Sequence, residues 1–225
     1  MKETVIEFID FLKHPQQSFR SKHKVCIFIL CWIIMFSLNI LTLILSVIYG
    51  YFRLDFPEKA LFSYEEKLFL PSLLLVPIIE EIGFRLYLLP KKWNILLSSV
   101  FLIWIVYPVA ITVPESPVEY MIIRCLVSLS IGFLAFLFLR KKVPNIKYPY
   151  LFYFSALLFG FMHFHSFIYD NVSFFSILYV LLYIILMTIS GVIFGYIRVS
   201  MGILYSALFH FLLNFLPVMA AFGKL

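Results

Sequence analysis

The sequence predicts an all-α polytopic membrane protein, a bundle of about seven transmembrane helices that encloses a polar intramembrane cavity. Of its 225 residues, 63% are hydrophobic and only 13% are charged, and the mean hydropathy is +1.01, far outside the range of soluble domains. The apolar residues fall into separate runs of about 20, the length at which a helix crosses the hydrocarbon core. So little charge leaves no surface for a soluble extramembrane domain.

The N-terminal segment, residues 1–24, is predicted to be cytoplasmic and amphipathic, and residues 25–225 to form the transmembrane domain. In "MKETVIEFIDFLKHP", apolar residues such as Val5, Ile9 and Leu12 stand beside charged ones, which is typical of a short helix on the membrane surface. A frayed terminus is the alternative. The first apolar run is too long for a signal peptide and no small-residue cleavage site follows it, so we expect it to be retained.

Seven apolar runs are long enough to span a membrane: 25–50, 68–90, 93–113, 119–139, 149–168, 173–197 and 201–222. The second run is the least uniform, because Pro71, Pro77 and three charged residues interrupt it. The turn "RVSMG" between the last two runs is short. A broken or re-entrant helix at this turn would give eight segments.

Every second segment between the spans is rich in basic residues, as expected when cytoplasmic loops hold the excess of Lys and Arg. They precede the first span and follow the second, fourth and sixth spans: Lys13, Arg20, Lys22, Lys24, Lys91, Lys92, Arg140, Lys141, Lys142, Lys147 and Arg198. This pattern predicts an inner N-terminus and an outer C-terminus. We expect a multi-pass integral protein of the cell (plasma) membrane. The net charge of +6 is an orientation signal, and no nucleic-acid partner is expected.

The stretch "VPIIEEIGFRLYLLP" places Glu80, Glu81 and Arg85 inside the second span. Each charge within a span costs about 2.5–3.5 kcal/mol on insertion scales, so a function or a partner is expected for each. On a helix, Glu81 and Arg85 share a face, and Glu80 points about 100° away. Arg85 can therefore neutralise Glu81 and leave Glu80 as a free base. The alternative is a packing element in which Glu80 bonds to a neighbouring helix.

Two further spans carry polar residues at helical spacing. "SALLFGFMHFH" puts Ser155, Phe159 and His163 on one face, and "HFLLN" does the same for His210 and Asn214. A lone histidine on an apolar helix is usually a hydrogen-bonded core residue. Polar residues on three separate spans indicate that they meet in one water-filled cavity, because only such a cavity removes the free-energy cost of inserting each of them into the membrane.

The sixth span also contains "GVIFG", with Gly191 and Gly195 one turn apart. This small-xxx-small pattern predicts a close approach between two helices.

In chain order, "EEIGFR" (EExxxR), "SALLFGFMH" (SxxxFxxxH) and "HFLLN" (HxxxN) lie on separate predicted spans. This set resembles the CPBP family of intramembrane proteases, also called the CAAX protease and bacteriocin-processing or Abi family. The resemblance covers about residues 68–217. Seven predicted spans are one fewer than the eight of the better-known members.

The resemblance implies peptide-bond hydrolysis within the membrane by a six-residue site: Glu80, Glu81, Arg85, His163, His210 and Asn214. Glu80 and His163 would activate a water molecule, and His210 with Asn214 would stabilise the oxyanion. Glu81 and Arg85 would support this arrangement. The implied partners are a membrane-embedded or lipidated peptide or protein substrate and membrane lipids, and the oligomeric state is left open.

A cofactor is not required by a glutamate mechanism, although a divalent metal such as zinc is possible. Glu80, His163 and His210 could supply a His₂Glu set with water in the fourth position. The sequence has no HExxH motif. If Glu80 were a metal ligand and Glu81 were paired with Arg85, no glutamate would remain to act as the general base. This favours the metal-free glutamate mechanism. His165 lies about 200° from His163 on a helix and cannot join it on one ion.

Two other functions stay open at the level of sequence. A proton-coupled transporter could use Glu80, His163 and His210 as a relay, and a catalytically silent immunity or binding protein could retain the cavity. Asn214 favours the protease, because an oxyanion site needs a neutral donor that a relay does not.

The helical rise exposes a conflict of depth between the predicted site residues. It places Glu80 and His210 near the middle of the membrane, but His163 near the outer end of the fifth span. Either the spans are staggered and broken around the cavity, or the predicted orientation is wrong.

Overall fold

The computed structural model describes residues 1–51, 66–110, 117–166 and 174–222. These residues form eight α-helices: α1 (Lys2–Lys13), α2 (Lys24–Tyr51), α3 (Glu66–Arg85), α4 (Lys92–Ala110), α5 (Pro117–Lys142), α6 (Tyr148–Met162), α7 (Phe174–Ser200) and α8 (Ile203–Phe222). Short 3₁₀ turns follow α3, α5 and α6, at Leu86–Leu88, Val143–Asn145 and His163–Ser166. No strand occurs in the described ranges.

Helices α2 to α8 coincide one by one with the seven apolar runs, which confirms the predicted all-α polytopic membrane fold. Three described segments are long and apolar enough to cross a membrane, namely Lys24–Leu45, Glu119–Asn145 and Phe174–Ser200. Helices α4, α6 and α8 carry shorter apolar stretches. The chain is an integral membrane protein, and the number of crossings, the orientation and the plasma-membrane location stay predictions.

Helix α3 is central to the bundle, because it packs against α4, α6 and α8. Helix α7 contacts α2, α6 and α8, while α5 packs mainly on α4. Four helices, α3, α6, α7 and α8, therefore share one interior, to which aromatic rings contribute nearly half of the buried residues.

The "RVSMG" turn is a tight reversal between two complete helices. Helix α7 ends at Ser200, and the amide of Gly202 donates to the carbonyls of Ile197 and Arg198. Gly202 has a φ of +113°, a conformation that only glycine adopts without strain. The described helices are not broken at this turn.

Helix α1 is present as predicted, but part of its apolar side packs on protein. Phe11 is buried, and its ring lies 5.1 Å from the rings of both Phe152 and Tyr196. Ile6 and Ile9 are exposed. The surface available for lipid is thus narrower than the sequence pattern indicates.

The depth conflict concerns the end of α6, which is a short helix. Its 15 residues rise only about 22 Å, against about 40 Å for the 27 residues of α7. The ring of His163 lies 6.4 Å from that of Tyr183, nine residues after the start of α7. His163 therefore directly follows the end of α6, as expected, and packs beside a residue well inside α7; its depth in the membrane stays a prediction.

Close packing of α6 on α7 confirms the small-residue prediction. A Cβ added at Gly191 would lie 3.0 Å from backbone atoms of Ala156, and one at Gly195 would lie 2.8 Å from the ring of Phe152. Gly160 on α6 makes the tightest approach, with its added Cβ only 2.7 Å from the backbone nitrogen of Thr188. Both helices therefore use glycine where their backbones meet.

We expect Gly160→Ala to lower the thermal unfolding midpoint of the protein in detergent. An exposed helical Gly→Ala change stabilises by up to about 1 kcal/mol, but here the methyl group meets α7 backbone, and overpacking of this kind costs about 1–3 kcal/mol. Gly195→Ala is the matched control with a smaller loss, because the ring of Phe152 can move. A Gly160→Ala midpoint at or above that of the wild type would contradict this account.

Candidate active site

Glu81 and Arg85 form the predicted ion pair within α3. Arg85 Nη1 lies 3.2 Å from Glu81 Oε1, one helical turn apart, and both side chains are 0% exposed. The guanidinium group lies 4.0 Å from the centre of the Phe159 ring and 5.3 Å from that of Phe194. Ring faces attract cations, so the carboxylate and the two aromatic rings stabilise the charge of Arg85, although none of its guanidinium nitrogens makes a hydrogen bond.

The carboxylate of Glu81 also joins α3 to α8. Ser206 Oγ lies 2.5 Å from Glu81 Oε2 and 3.0 Å from the carbonyl oxygen of Phe194, and His210 Nδ1 lies 3.2 Å from Glu81 Oε1. Both carboxylate oxygens are thus engaged. The sequence reasoning missed Ser206, although it stands four residues before His210 and so shares its helix face.

His210 lies between the two adjacent glutamates. Its Nε2 is 3.5 Å from Glu80 Oε2, while its Nδ1 faces Glu81. Its ring is stacked on that of Phe194 at 4.4 Å. Glu80 lies outside the ion pair with Arg85, but it contacts His210 of a neighbouring helix, and its side chain is 20% exposed where that of Glu81 is fully buried.

The contacts of His210 with Glu81 and Glu80 determine which ring nitrogen of His210 carries the proton of the neutral ring. Carboxylates only accept, so Nδ1–H donates to Glu81, and a neutral ring then presents a lone pair at Nε2. The contact between Nε2 and Glu80 becomes a hydrogen bond only with one further proton, held by His210 or by Glu80. The site can therefore hold a proton between these two side chains.

His163 is oriented by the carbonyl of Phe159. Its Nδ1 lies 2.8 Å from that oxygen, and because a carbonyl only accepts, Nδ1 carries the proton and Nε2 is the basic nitrogen of the neutral ring. The ring of Phe159 lies 4.7 Å from the His163 ring and 5.9 Å from that of His210. Both imidazoles therefore lie beside the same phenyl ring.

The other polar residues of the predicted motifs are Ser155, Asn214 and His165. Ser155 is buried, and its hydroxyl donates to the carbonyl of Phe84 on α3, 2.5 Å away. Asn214 is partly buried on α8, one turn after His210. The side chain of His165 lies outside the described residues. Ser155 therefore fastens α6 to α3 at the level of the buried ion pair.

The fit of a metal ion can be judged from the side chains present. Among the described residues, no group of three His, Cys, Asp or Glu side chains could hold an ion. Glu80 and His210 are in contact, and the bond from Nδ1 of His163 to a carbonyl makes Nε2 the nitrogen of that ring that could ligate a metal. Metal dependence stays a prediction.

A protein-family model matches most of the chain. The model described as "Type II CAAX prenyl endopeptidase Rce1-like" matches residues 66–216, more than half of the chain. The matched range includes all six predicted site residues and Ser206. No curated protein and no solved structure matches the chain.

We expect Arg85→Ala to lower stability strongly, since it leaves Glu81 buried without its counter-ion, a loss of about 3–5 kcal/mol when one partner of such a pair is removed. Glu80→Gln is the control, because its side chain is partly exposed and makes no contact with Arg85 within ion-pair distance. Thermal unfolding in detergent is the measurement. If both variants unfold at the wild-type midpoint, the buried pair is not a stabilising element.

Proposed function

The chain belongs to the Rce1-like family of CAAX-type intramembrane proteases, and from this premise we propose that it hydrolyses a peptide bond of a membrane-embedded or lipidated protein through a glutamate-activated water. The observation that carries the proposal is the difference between two adjacent carboxylates. Glu81 is buried with both oxygens engaged, whereas Glu80 is partly exposed and contacts His210. In this proposal Glu81 is structural and Glu80 acts on water.

Glu80 is the general base in this mechanism. It takes a proton from water as the water oxygen attacks the carbonyl carbon of the scissile bond. The same proton then passes to the amide nitrogen as the C–N bond breaks, so the products are a carboxylic acid and an amine. His163, whose Nδ1 is held by the Phe159 carbonyl, offers Nε2 as a second acceptor for the attacking water.

His210 and Asn214 are the proposed donors to the oxyanion. The bond to Glu81 fixes the His210 ring, as the third member of a triad orients a catalytic histidine. With a proton on Nε2, His210 can turn its hydrogen bond from Glu80 to the developing negative charge. The amide of Asn214 is one turn away on the same helix face.

Family membership favours this protease over a proton-coupled transporter, since the matched family is described by an endopeptidase activity. A silent immunity or binding protein would keep the same helices and cavity. The two variants below separate that possibility from catalysis.

We expect Glu80→Gln to reduce cleavage by at least about 10²-fold, within the range of general-base contributions, while the protein still inserts and purifies. The amide keeps the size of the side chain and one acceptor but cannot take the proton. Cleavage is measured on membrane peptides from cells carrying each variant, with Asp10→Asn, an exposed change on α1, as the control. Turnover by Glu80→Gln close to that of the wild type would remove Glu80 as the base.

We expect Asn214→Ala to reduce kcat by about 10²–10³ with little change in KM, since an oxyanion donor acts mainly in the transition state. Asn214→Asp should be at least as damaging, because it can place negative charge beside the oxyanion. Both constants are measured on a quenched peptide substrate. A change confined to KM would exclude the oxyanion role.

A further inference from the structure

Arg198 is a buried cation that the site described above does not use. The sequence analysis assigned it to a cytoplasmic loop, but α7 continues to Ser200, and Arg198 in its last turn is only 6% exposed. Its Nε has no hydrogen-bond partner, and its guanidinium makes no ion pair with any carboxylate in the described residues. A buried charge without a counter-ion is strongly unfavourable, so the Arg198 guanidinium is a candidate for binding an anion.

A second cation and a hydroxyl group lie at the same end of the bundle. Arg20 Nη1 donates to the carbonyl of Val199, the residue next to Arg198. The hydroxyl of Tyr148, at the start of α6, is buried without a hydrogen-bond partner and lies within electrostatic range of both arginines. We call these three residues, Arg20, Tyr148 and Arg198, the arginine cluster. They come from three separate parts of the chain.

No described carboxylate balances this cluster by direct contact. Glu81 is within electrostatic range of Arg198, but its two oxygens are held by Arg85, His210 and Ser206. Like charges repel, and Arg20 therefore adds to the cost of burying Arg198. A bound anion would remove the repulsion and give the unused donors acceptors.

We propose that the arginine cluster binds the phosphate group of an anionic lipid headgroup. Guanidinium groups match phosphate oxygens in charge and in fork geometry, and Tyr148 supplies a third donor. The cluster lies at the helix ends that the basic-residue pattern assigns to the cytoplasmic leaflet, where anionic lipids are concentrated and basic pockets between helices bind them. Exposed Ile146 and Tyr150 flank Tyr148 in the chain and offer apolar surface for acyl chains. This site is independent of the proposed protease mechanism.

The test uses the full chain, purified in detergent and stripped of lipid. Phosphatidylglycerol is titrated while the thermal unfolding midpoint is followed, with phosphatidylcholine, inorganic phosphate and a peptide with a free C-terminal carboxylate in parallel. We expect a saturable rise with phosphatidylglycerol in the wild type. Arg198→Gln should weaken the apparent Kd at least about tenfold, as expected for loss of a charged hydrogen-bond donor. Arg140→Gln, an exposed arginine on the same predicted side, should change it less than about twofold.

The substitution of Arg198 can itself change the stability of the protein, so the variant and the wild type are also compared without lipid. Without lipid, Arg198→Gln should be at least as stable as the wild type, because it removes an unpaired buried charge; with saturating phosphatidylglycerol the order should reverse. Tyr148→Phe, which removes only the hydroxyl, should weaken binding without that reversal. Equal phosphatidylglycerol binding by wild type and Arg198→Gln overturns the proposal. So does a midpoint rise that depends on Arg198 but occurs with inorganic phosphate or the peptide and not with phosphatidylglycerol.

Discussion

The buried carboxylate of Glu81 is the group on which the rest of the site depends. It cannot be solvated where it lies, and its oxygens are satisfied by Arg85 from its own helix and by Ser206 and His210 from α8. These bonds set α3 and α8 in one register, because a slip of either helix would leave a charge buried without a partner. The side chain of Glu80 is then held beside His210 as a consequence of its neighbour's constraints.

Aromatic rings and glycines supply what the ion pair alone does not. Arg85 packs against the rings of Phe159 and Phe194, which stand on α6 and α7. Those two helices approach closely because Gly160 and Gly191 remove side chains from their contact. The packing of α6 on α7 therefore places two aromatic rings against Arg85 of α3. It also positions His163, which follows α6, beside α7. Stability and the geometry of the proposed chemistry depend on the same contacts.

Unequal helix lengths decide where the polar residues meet. Helix α6 ends at Met162, whereas α7 extends well beyond that level, and His163 follows α6 directly. At the other end, α7 continues to Ser200 and buries Arg198 close to the N-terminal segment. A bundle with seven helices of uniform length would hold neither group at these depths.

The sequence by itself determined the helical membrane fold, the Glu81–Arg85 pair and the close packing at Gly191. Each follows from a local property: apolar run length, i,i+4 spacing, or the absence of a side chain. Only the tertiary structure decided that His210 bridges Glu80 and Glu81, that Ser206 completes the bonding of Glu81, and that Arg198 is buried. These features join residues more than a hundred positions apart or depend on where a helix stops. Spacing within one helix carries no information about either, because the partner and the depth are set by how the helices pack against one another.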